Sequence, residues 1–511
     1  MPGGDDTFDY VIAGGGAAGC VLARRLLERT DGRIALIEAG SALPNRWLGT
    51  PLTSVRLGRW WHSWPFETVP QQALHGRRIA LPMGRVLGGS ASINAMIAQP
   101  ALDADIAEWG AAVEGWSPAA LAPARARAFG MAGVAGVAQL PLAAPAFRSA
   151  FSEAFLAACG EGGLPNEGLL DGPDSVRCGY YPLLQRNGRR FSAFQAYLAP
   201  MRGHPRLTVI TGKVVRLTLA QGEARGVVVA HGGTRRVIAA EREVILALGA
   251  LESPRVLMAS GIGPADLLRR AGIGVVRDLP DVGERLADHV RLPLLFHSGQ
   301  TSPARLWRLP GALLRRMAGR ASVLASNCCE AGAYLSSGGA GRPDLQLITH
   351  FQSVADGAAV DIELTLVRPL SRGRVSIDPA APDGRALIDP AYLSAPPDLE
   401  RLVEGIGMVR EIARRPALAA FGIGGERLPG PAAVSREALA RHVRATATTA
   451  FHPVGTCRMG DDDAAVVDGR LRVNGLARLR IVDASVMLSL PAANTCCAVM
   501  LIAERAAELM T

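Results

Sequence analysis

Two polar residues near the end of this 511-residue chain have types and settings that could do chemistry: His452, in Phe451-His452-Pro453-Val454-Gly455-Thr456, and Asn494, in Pro491-Ala492-Ala493-Asn494-Thr495. An imidazole has an unperturbed pKa near neutrality, so His452 can take or give a proton under ordinary conditions. A carboxamide does not titrate, but it offers two donors and an acceptor. Thr495 to Met510 reads as a helix with Asn494 as its N-cap, which would place Asn494 where free N–H groups and a partial positive charge favour an anion. Between the two lies Leu479-Arg480-Ile481-Val482-Asp483, an apolar strand ending on an acid. Alone, a histidine before Pro-Val-Gly is more often structural than catalytic; the rest of the chain supplies the reason to read it as chemistry.

Elements that could position such a pair begin at the N-terminus. Asp9-Tyr10-Val11-Ile12-Ala13 reads as a buried strand, and Gly14-Gly15-Gly16-Ala17-Ala18-Gly19 opens a helix directly after it. A second strand, Ile34-Ala35-Leu36-Ile37, ends in Glu38, nineteen residues past Gly19. This is G-x-G-x-x-G in its required βαβ setting. Gly14 allows the tight turn, Gly16 lets a pyrophosphate approach the backbone, Gly19 brings helix against strand, and the carboxylate accepts from ribose hydroxyls. Glu38 argues against a 2′-phosphate, although the motif does not choose between NAD and FAD.

Further on, Trp60, Trp61, Trp64 and Phe66 form an aromatic cluster ahead of Met83 to Met96, where Gly88, Gly89 and small hydroxyl residues could let a backbone press against a planar ligand. Residues 118–146, rich in Ala, Pro and Gly, read as a loosely structured excursion. Strands are expected at Leu207 to Ile210, Val214 to Leu217, Gly226 to Ala230 and Glu243 to Ala247, the last running into a helix from Gly249. This return to buried strands makes the nucleotide-binding unit discontinuous. Residues 291–445 read as a second, mixed unit, with strands at Asp344 to His350, Asp361 to Val367 and Gly373 to Ile377 and helices after Asp398 and Ser435. His289, His350 and Glu330 are its notable ionisable residues.

Composition narrows the function. The chain carries 55 Lys and Arg against 46 Asp and Glu, a net +9, and Lys213 is the only lysine. The arginines are scattered without aromatic interleaving, which excludes a nucleic-acid-binding face. No apolar run is long enough for a membrane span, and nothing resembles a signal peptide, so a cytoplasmic protein is expected. The eight cysteines include two adjacent pairs and no C-x-x-C, a pattern of small buried thiols and neither a metal site nor a disulfide framework.

At Gly84 to Met96 and at Gly249 to Pro264 the sequence resembles both signature segments of the glucose–methanol–choline (GMC) oxidoreductases. Pro280 to His289, Arg368 to Gly373, His452 to Gly460 and Asp483 to Ser485 follow in that family's order. The resemblance implies a Rossmann-like α/β FAD-binding domain from residues 1–150, 200–290 and 446–511, roofed by an α+β substrate domain of residues 151–199 and 291–445 built on an antiparallel sheet packed by helices. It implies that Gly14, Gly16 and Gly19 cradle the FAD pyrophosphate and that Glu38 holds the ribose. Val215 or its neighbour would meet adenine, and Gly88, Gly89 and Asn94 would line the isoalloxazine. Asp483 and Ala484 would reach the pyrophosphate or ribityl region, and Asn494 and Thr495 the flavin edge.

His452 would be the general base and Asn494 its partner, as in choline dehydrogenases and aryl-alcohol or hydroxymethylfurfural oxidases. A primary alcohol, aromatic or amino, would be oxidised to its aldehyde by hydride transfer to flavin N5, with oxygen or another carrier taking the electrons. Glu330 would face the substrate cavity beside His350 and Phe451. Ile93 stands where some members attach flavin covalently, so FAD should be non-covalent. Departures from the pattern are Cys496, Cys497 and Gln99-Pro100. The competing readings are a hydroxynitrile-lyase-like enzyme without net redox and a non-catalytic flavoprotein. The oligomeric state is not legible.

Overall fold

The apolar run Thr7–Ala13 becomes a strand inside a seven-stranded sheet. The computed structural model describes all residues except 1–5, 42–46, 54–60, 131–139, 301, 304–307, 340, 352, 355–356 and 382–383. Thr7–Ala13 pairs in parallel with Ile34–Glu38 on one side and with Thr234–Leu246 on the other. Leu207–Thr211 continues the parallel order beyond Ile34–Glu38, and Leu479–Ile481 pairs in parallel with the end of Thr234–Leu246. Lys213–Ala220 and Glu223–His231 add an antiparallel edge. Val11, Ile12, Leu36, Val244, Ile245 and Leu246 are wholly buried, as strands covered on both faces must be.

Three remote stretches of sequence thus share one sheet. Its register brings the carboxyl ends of the parallel strands together, with Ala13 beside Ile37 and Leu246, and Leu246 beside Ile481. Open α/β sheets bind ligands at that edge.

A second sheet of ten strands is antiparallel except between Asn166–Leu169 and Arg177–Tyr180. Its strand Gly357–Leu366 pairs with Leu345–His350, Leu295–Ser298 and Val290–Leu292. Side chains alternate faces with period two. Leu345, Leu347, Val360, Ile362, Leu364 and Leu366 therefore enter one apolar cluster, shared with Leu402, Ile406 and Val409 of helix Pro396–Ala413. The alternating residues Gln346, Ile348, His350, Glu363 and Thr365 face a cavity. Sheet edges that cross the expected boundaries are Val290–Leu292 and Thr448–Thr449, which pair with each other inside this second sheet.

Two local expectations change. Pro118–Phe129 is a helix rather than a loose excursion: the Ser117 hydroxyl accepts from the Ala120 N–H at 3.2 Å, and Pro118 occupies the first turn. Leu121, Ala124, Ala128 and Phe129 are its buried face, and a face half made of alanine leaves little hydrophobic periodicity to read. The C-terminal helix is Cys496–Met510 with Thr495, not Asn494, at its N-cap, and no side chain closes that cap. Of the aromatic cluster, Trp64 and Phe66 stack at 5.8 Å, Trp61 is exposed, and Trp60 lies outside the described residues. No described helix is long and apolar enough to cross a membrane.

Candidate active site

One cavity runs from the carboxyl edge of the parallel sheet to the polar face of the second sheet, with Gly14, Gly16 and Glu38 in its lining at one end and Gln346, His350 and Glu363 at the other. Helix Ala17–Arg29 starts in it without a side-chain cap or an acid in its first turn, which leaves N–H groups for an anion. A Cβ on Gly19 would stand 1.9 Å from the Gly14 carbonyl oxygen, so only glycine lets this helix lie against its strand. A Cβ on Gly16 would meet nothing nearer than 3.9 Å, an open patch beside the helix start. Gly89, at φ +55°, approaches Gly16 so closely that a Cβ would sit 2.9 Å from the Gly16 Cα.

Glu38 accepts from the Gly15 N–H at 3.1 Å and the Gly40 N–H at 2.7 Å; burial raises its carboxyl pKa, against the pull of those amides. These features fit a dinucleotide: cleared backbone for a pyrophosphate, and an oriented acid at the end of the second strand.

Other expected cofactor residues divide. Asp483, Ala484, Asn94 and Thr495 line the cavity. Asp483 accepts from the Gly249 N–H at 2.9 Å and from the Ser253 and Ser485 segment, which ties the strand at Leu479–Ile481 to the helix Gly249–Ala259. Asn94 is gripped by the buried Arg190, which donates to its Oδ1 at 2.7 Å and to the Ala91 carbonyl at 2.9 Å. Val214 lines the cavity and Val215 does not, and Arg255 donates to both of their carbonyls, at 3.1 and 3.3 Å. Gly88 also lies outside the lining and instead donates its N–H to the Gly15 carbonyl at 2.7 Å, joining the two glycine segments.

His452 and Asn494 meet. Asn494 Nδ2 is 3.3 Å from His452 Nε2, and the carboxamide is oriented from behind because Gln346 donates to its Oδ1 at 3.4 Å. Gln99 adds a contact by accepting the Asn494 backbone N–H at 3.3 Å. With Nδ2 as donor, His452 Nε2 is the ring's lone-pair nitrogen and the proton sits on Nδ1. That Nδ1 lies 2.9 Å from His289 Nδ1, with the two rings edge to face at 5.0 Å. The backbone N–H of His452 is held by Asp288, whose other oxygen accepts from Tyr392 and Thr449 hydroxyls at 2.5 and 2.6 Å. Burial lowers the His452 pKa to about 4, with Glu363 opposing and Arg291 assisting, so the ring is a neutral base across the neutral range. Burial likewise holds His289 well below the ordinary value. Burial raises Asp288 to about 6.

His350 and Phe451 also line the cavity, but Glu330 does not. The expectation for Glu330 is corrected: its carboxylate is buried among the Ser149 N–H at 3.0 Å, the Ser152 hydroxyl at 2.8 Å and the Ser326 hydroxyl, facing protein instead of substrate. At the end of the cavity formed by the second sheet, the carboxylate in the lining is Glu363, which accepts from Arg291 Nη1 at 2.6 Å and lies 3.3 Å from His350 Nε2. The sequence reading missed Arg291, Glu363 and Gln346; strict alternation along 361–366 was the signal that could have found Glu363, and Leu345-Gln346-Leu347 a shorter one for Gln346. Ligating atoms of His350, Asp361 and Glu363 lie within 4.8 Å of one another, yet the guanidinium on Glu363 already supplies the cation there.

Comparison with known proteins agrees with this geometry. Residues 8–291 and 369–503 match the N- and C-terminal parts of the family described as GMC oxidoreductase. The chain is 35% identical to an alcohol dehydrogenase [acceptor] of Pseudomonas putida, covering 98% of this chain and 95% of that one. It is 33% identical to the mitochondrial choline dehydrogenase of Mus musculus, over 99% and 90%. Its fold superposes on pyridoxine 4-oxidase from Mesorbium loti with a TM-score of 0.87 at 32% identity, covering 98% of both chains. With these matches over its sheets, its glycine cradle and its paired His452 and Asn494, the chain belongs to the GMC oxidoreductases, a family of FAD-dependent enzymes.

Proposed function

We propose that this protein oxidises a primary alcohol to its aldehyde with FAD held non-covalently. The observation that carries the reading is the contact between His452 Nε2 and Asn494 Nδ2 in the wall of the cavity that also holds the glycine cradle. FAD, when bound, supplies hydride acceptance. A hydroxyl oxygen seated between the two side chains gives its proton to His452 Nε2 and takes a hydrogen bond from Asn494 Nδ2, which strengthens as negative charge develops on that oxygen. His289 and Asp288 act through His452: one meets its Nδ1, and the other fixes its main chain. Gly14, Gly16, Gly19 and Glu38 would hold the pyrophosphate and ribose. Ile93 lines the cavity with no nucleophilic atom, which supports non-covalent binding. Between aromatic and amino alcohols, the lining favours the aromatic, since the Phe451 ring is present and Arg291 sits 5.2 Å from it, where an ammonium would be repelled.

Anaerobic mixing with a panel of primary alcohols tests the reaction. Bleaching of the yellow flavin is expected; a protein that retained its colour with every alcohol would act as a lyase or a scaffold. Acid precipitation should leave the flavin in the supernatant.

A further inference from the structure

The cavity wall built by strands Leu345–His350 and Gly357–Leu366 presents a charged group that proton abstraction from an alcohol does not need. Glu363 Oε2 accepts from Arg291 Nη1 at 2.6 Å and has His350 Nε2 at 3.3 Å, so two basic side chains share one carboxylate. All three line the same cavity as His452 and Asn494. Asp361, the nearest further acid, accepts from the Leu294 N–H at 3.0 Å and is absent from the lining; burial holds it up to about 7, which further reduces its charge. The other cavity-lining acids belong to the cofactor end, where Glu38 and Asp483 take backbone N–H groups and Glu252 takes Arg255 at 2.8 Å.

Arg291 has donors to spare. Its Nε is buried with no partner among the described residues, and its guanidinium lies over Phe451, the neighbour of His452. Burial opposes charge on His350, but the Cys329 sulfur at 3.3 Å from Nδ1 and the Glu363 carboxylate outweigh it and hold the imidazole well above its ordinary value. The substrate end therefore sets two basic side chains against its one carboxylate. A planar guanidinium with free N–H groups matches a carboxylate in geometry as well as in sign.

We propose that Arg291, with His350 behind it, forms an anion-binding subsite, and that the alcohols this enzyme prefers carry a carboxylate at the far end of an aromatic ring from the reacting hydroxymethyl group. The proposal rests on the alcohol oxidation proposed above. Phe451 joins the two ends: it precedes the base in sequence and packs under the guanidinium, so a ring lying along it would present its hydroxymethyl to His452 and its acid to Arg291. A cationic alcohol meets like charge at the same place, which discriminates against it.

The test compares 4-(hydroxymethyl)benzoate, benzyl alcohol and 4-(aminomethyl)benzyl alcohol as reductants of the FAD-loaded enzyme under anaerobic rapid mixing. Calorimetric titration with benzoate and benzamide gives a binding readout that requires no turnover. The benzoate-bearing alcohol should saturate at a concentration about tenfold or more below benzyl alcohol, the value of one charge-assisted pair, and the amine should be the poorest of the three. Arg291→Met combined with Glu363→Gln removes the guanidinium without stranding its acid, and should erase the preference of benzoate over benzamide. Arg291→Lys should keep part of it, which separates lost charge from lost folding. Equal binding of benzoate and benzamide to the parent, or a preference that survives in the double variant, overturns the subsite. If no alcohol of any charge bleached the flavin while benzoate still bound through Arg291, the alcohol chemistry would fall and the subsite would stand.

Discussion

His452 and His350 line the same cavity and are both partly buried, yet their surroundings push them in opposite directions. His452 is lowered to about 4 by burial, while His350 is raised well above the ordinary histidine value because Cys329 and Glu363 outweigh its burial. Each has an acid nearby, so the presence of an acid does not explain the difference; the Cys329 sulfur and the Glu363 carboxylate both reach the ring of His350, and no such pair reaches the ring of His452 among the described residues. Glu363 faces the ring of His350. Asp288 takes the backbone N–H of His452, and among the described residues the ring nitrogens meet the uncharged His289 and Asn494. The main chain of His452 is thus anchored by a carboxylate that takes its backbone N–H and not its ring. One wall of the cavity is kept neutral, as the proposed proton transfer requires, and the other is kept charged.

Removing the neutral wall's histidine should produce the largest effect. His452→Ala is expected to slow flavin reduction by the best alcohol roughly 10²–10⁴-fold, the usual contribution of a general base. The purified variant should stay yellow, because the glycine cradle and Glu38 lie at the other end of the cavity. Rapid-mixing spectrophotometry measures both quantities, and parent-like reduction would return His452 to a structural role.

Asn494→Ala comes next, at roughly 10²-fold, the loss typical of one donor to a developing oxyanion. Its pH profile should keep the parent's shape, since a carboxamide does not titrate, whereas His452→Ala should flatten it. In the parent, kcat/KM should hold level through neutral pH and fall only as acid approaches the His452 pKa of about 4.

The same contrast separates what the sequence made legible from what it did not. The glycine fingerprint could be read because each glycine answers a steric demand, as the 1.9 Å approach at Gly19 shows. The strands expected at 344–350 and 361–367 could be read from alternation or apolar runs, although the second begins earlier, at Gly357, and His452 and Asn494 could be read from their segments. Local alternation marks Glu363 as a polar member of its strand, but no local pattern removes Glu330 from the cavity. Glu330 is closed off by Ser149 and Ser152, far away in sequence, as well as by the nearby Ser326, and Ser326 alone does not announce that cage. Glu363 sits in Asp361-Ile362-Glu363-Leu364-Thr365, where the apolar members pack on Pro396–Ala413 and leave the acid facing the cavity. The N-cap missed by one residue for a related reason: the Asn494 side chain is engaged by Gln346 and His452, so the helix begins beyond it.

Stability should carry the two histidines' opposite signs. The folded pKa of His452 lies below the ordinary 6.5, so its contribution is present above pH 6.5 and is lost as pH falls from there through about 4. The shift corresponds to at most about 3 kcal/mol. His350 is raised, so its contribution is full below pH 6.5 and lost as pH rises through its folded value. Urea unfolding of the FAD-loaded protein across pH should show His452→Gln reducing the acid-side loss and His350→Gln reducing the alkaline-side loss. Variants that shifted both limbs alike would dissolve the contrast between the walls.

The smallest effect on catalysis is expected at Glu330, the acid that lies on neither wall. Its carboxylate accepts from the Ser149 N–H, the Ser152 hydroxyl and the Ser326 hydroxyl, and burial raises its pKa against those donors. A glutamine keeps one acceptor oxygen, and the serine hydroxyls can turn to meet its NH₂. The Ser149 backbone N–H cannot turn, so one orientation of the amide loses a bond and the other retains it. Glu330→Gln should therefore cost about 1 kcal/mol of stability, the net worth of one such hydrogen bond. Rates with neutral, anionic and cationic alcohols should change by one common factor, since no charge facing the substrate has been altered. A selective gain or loss for the cationic alcohol would put Glu330 in electrical contact with the cavity, and the division into one neutral and one charged wall would need a third.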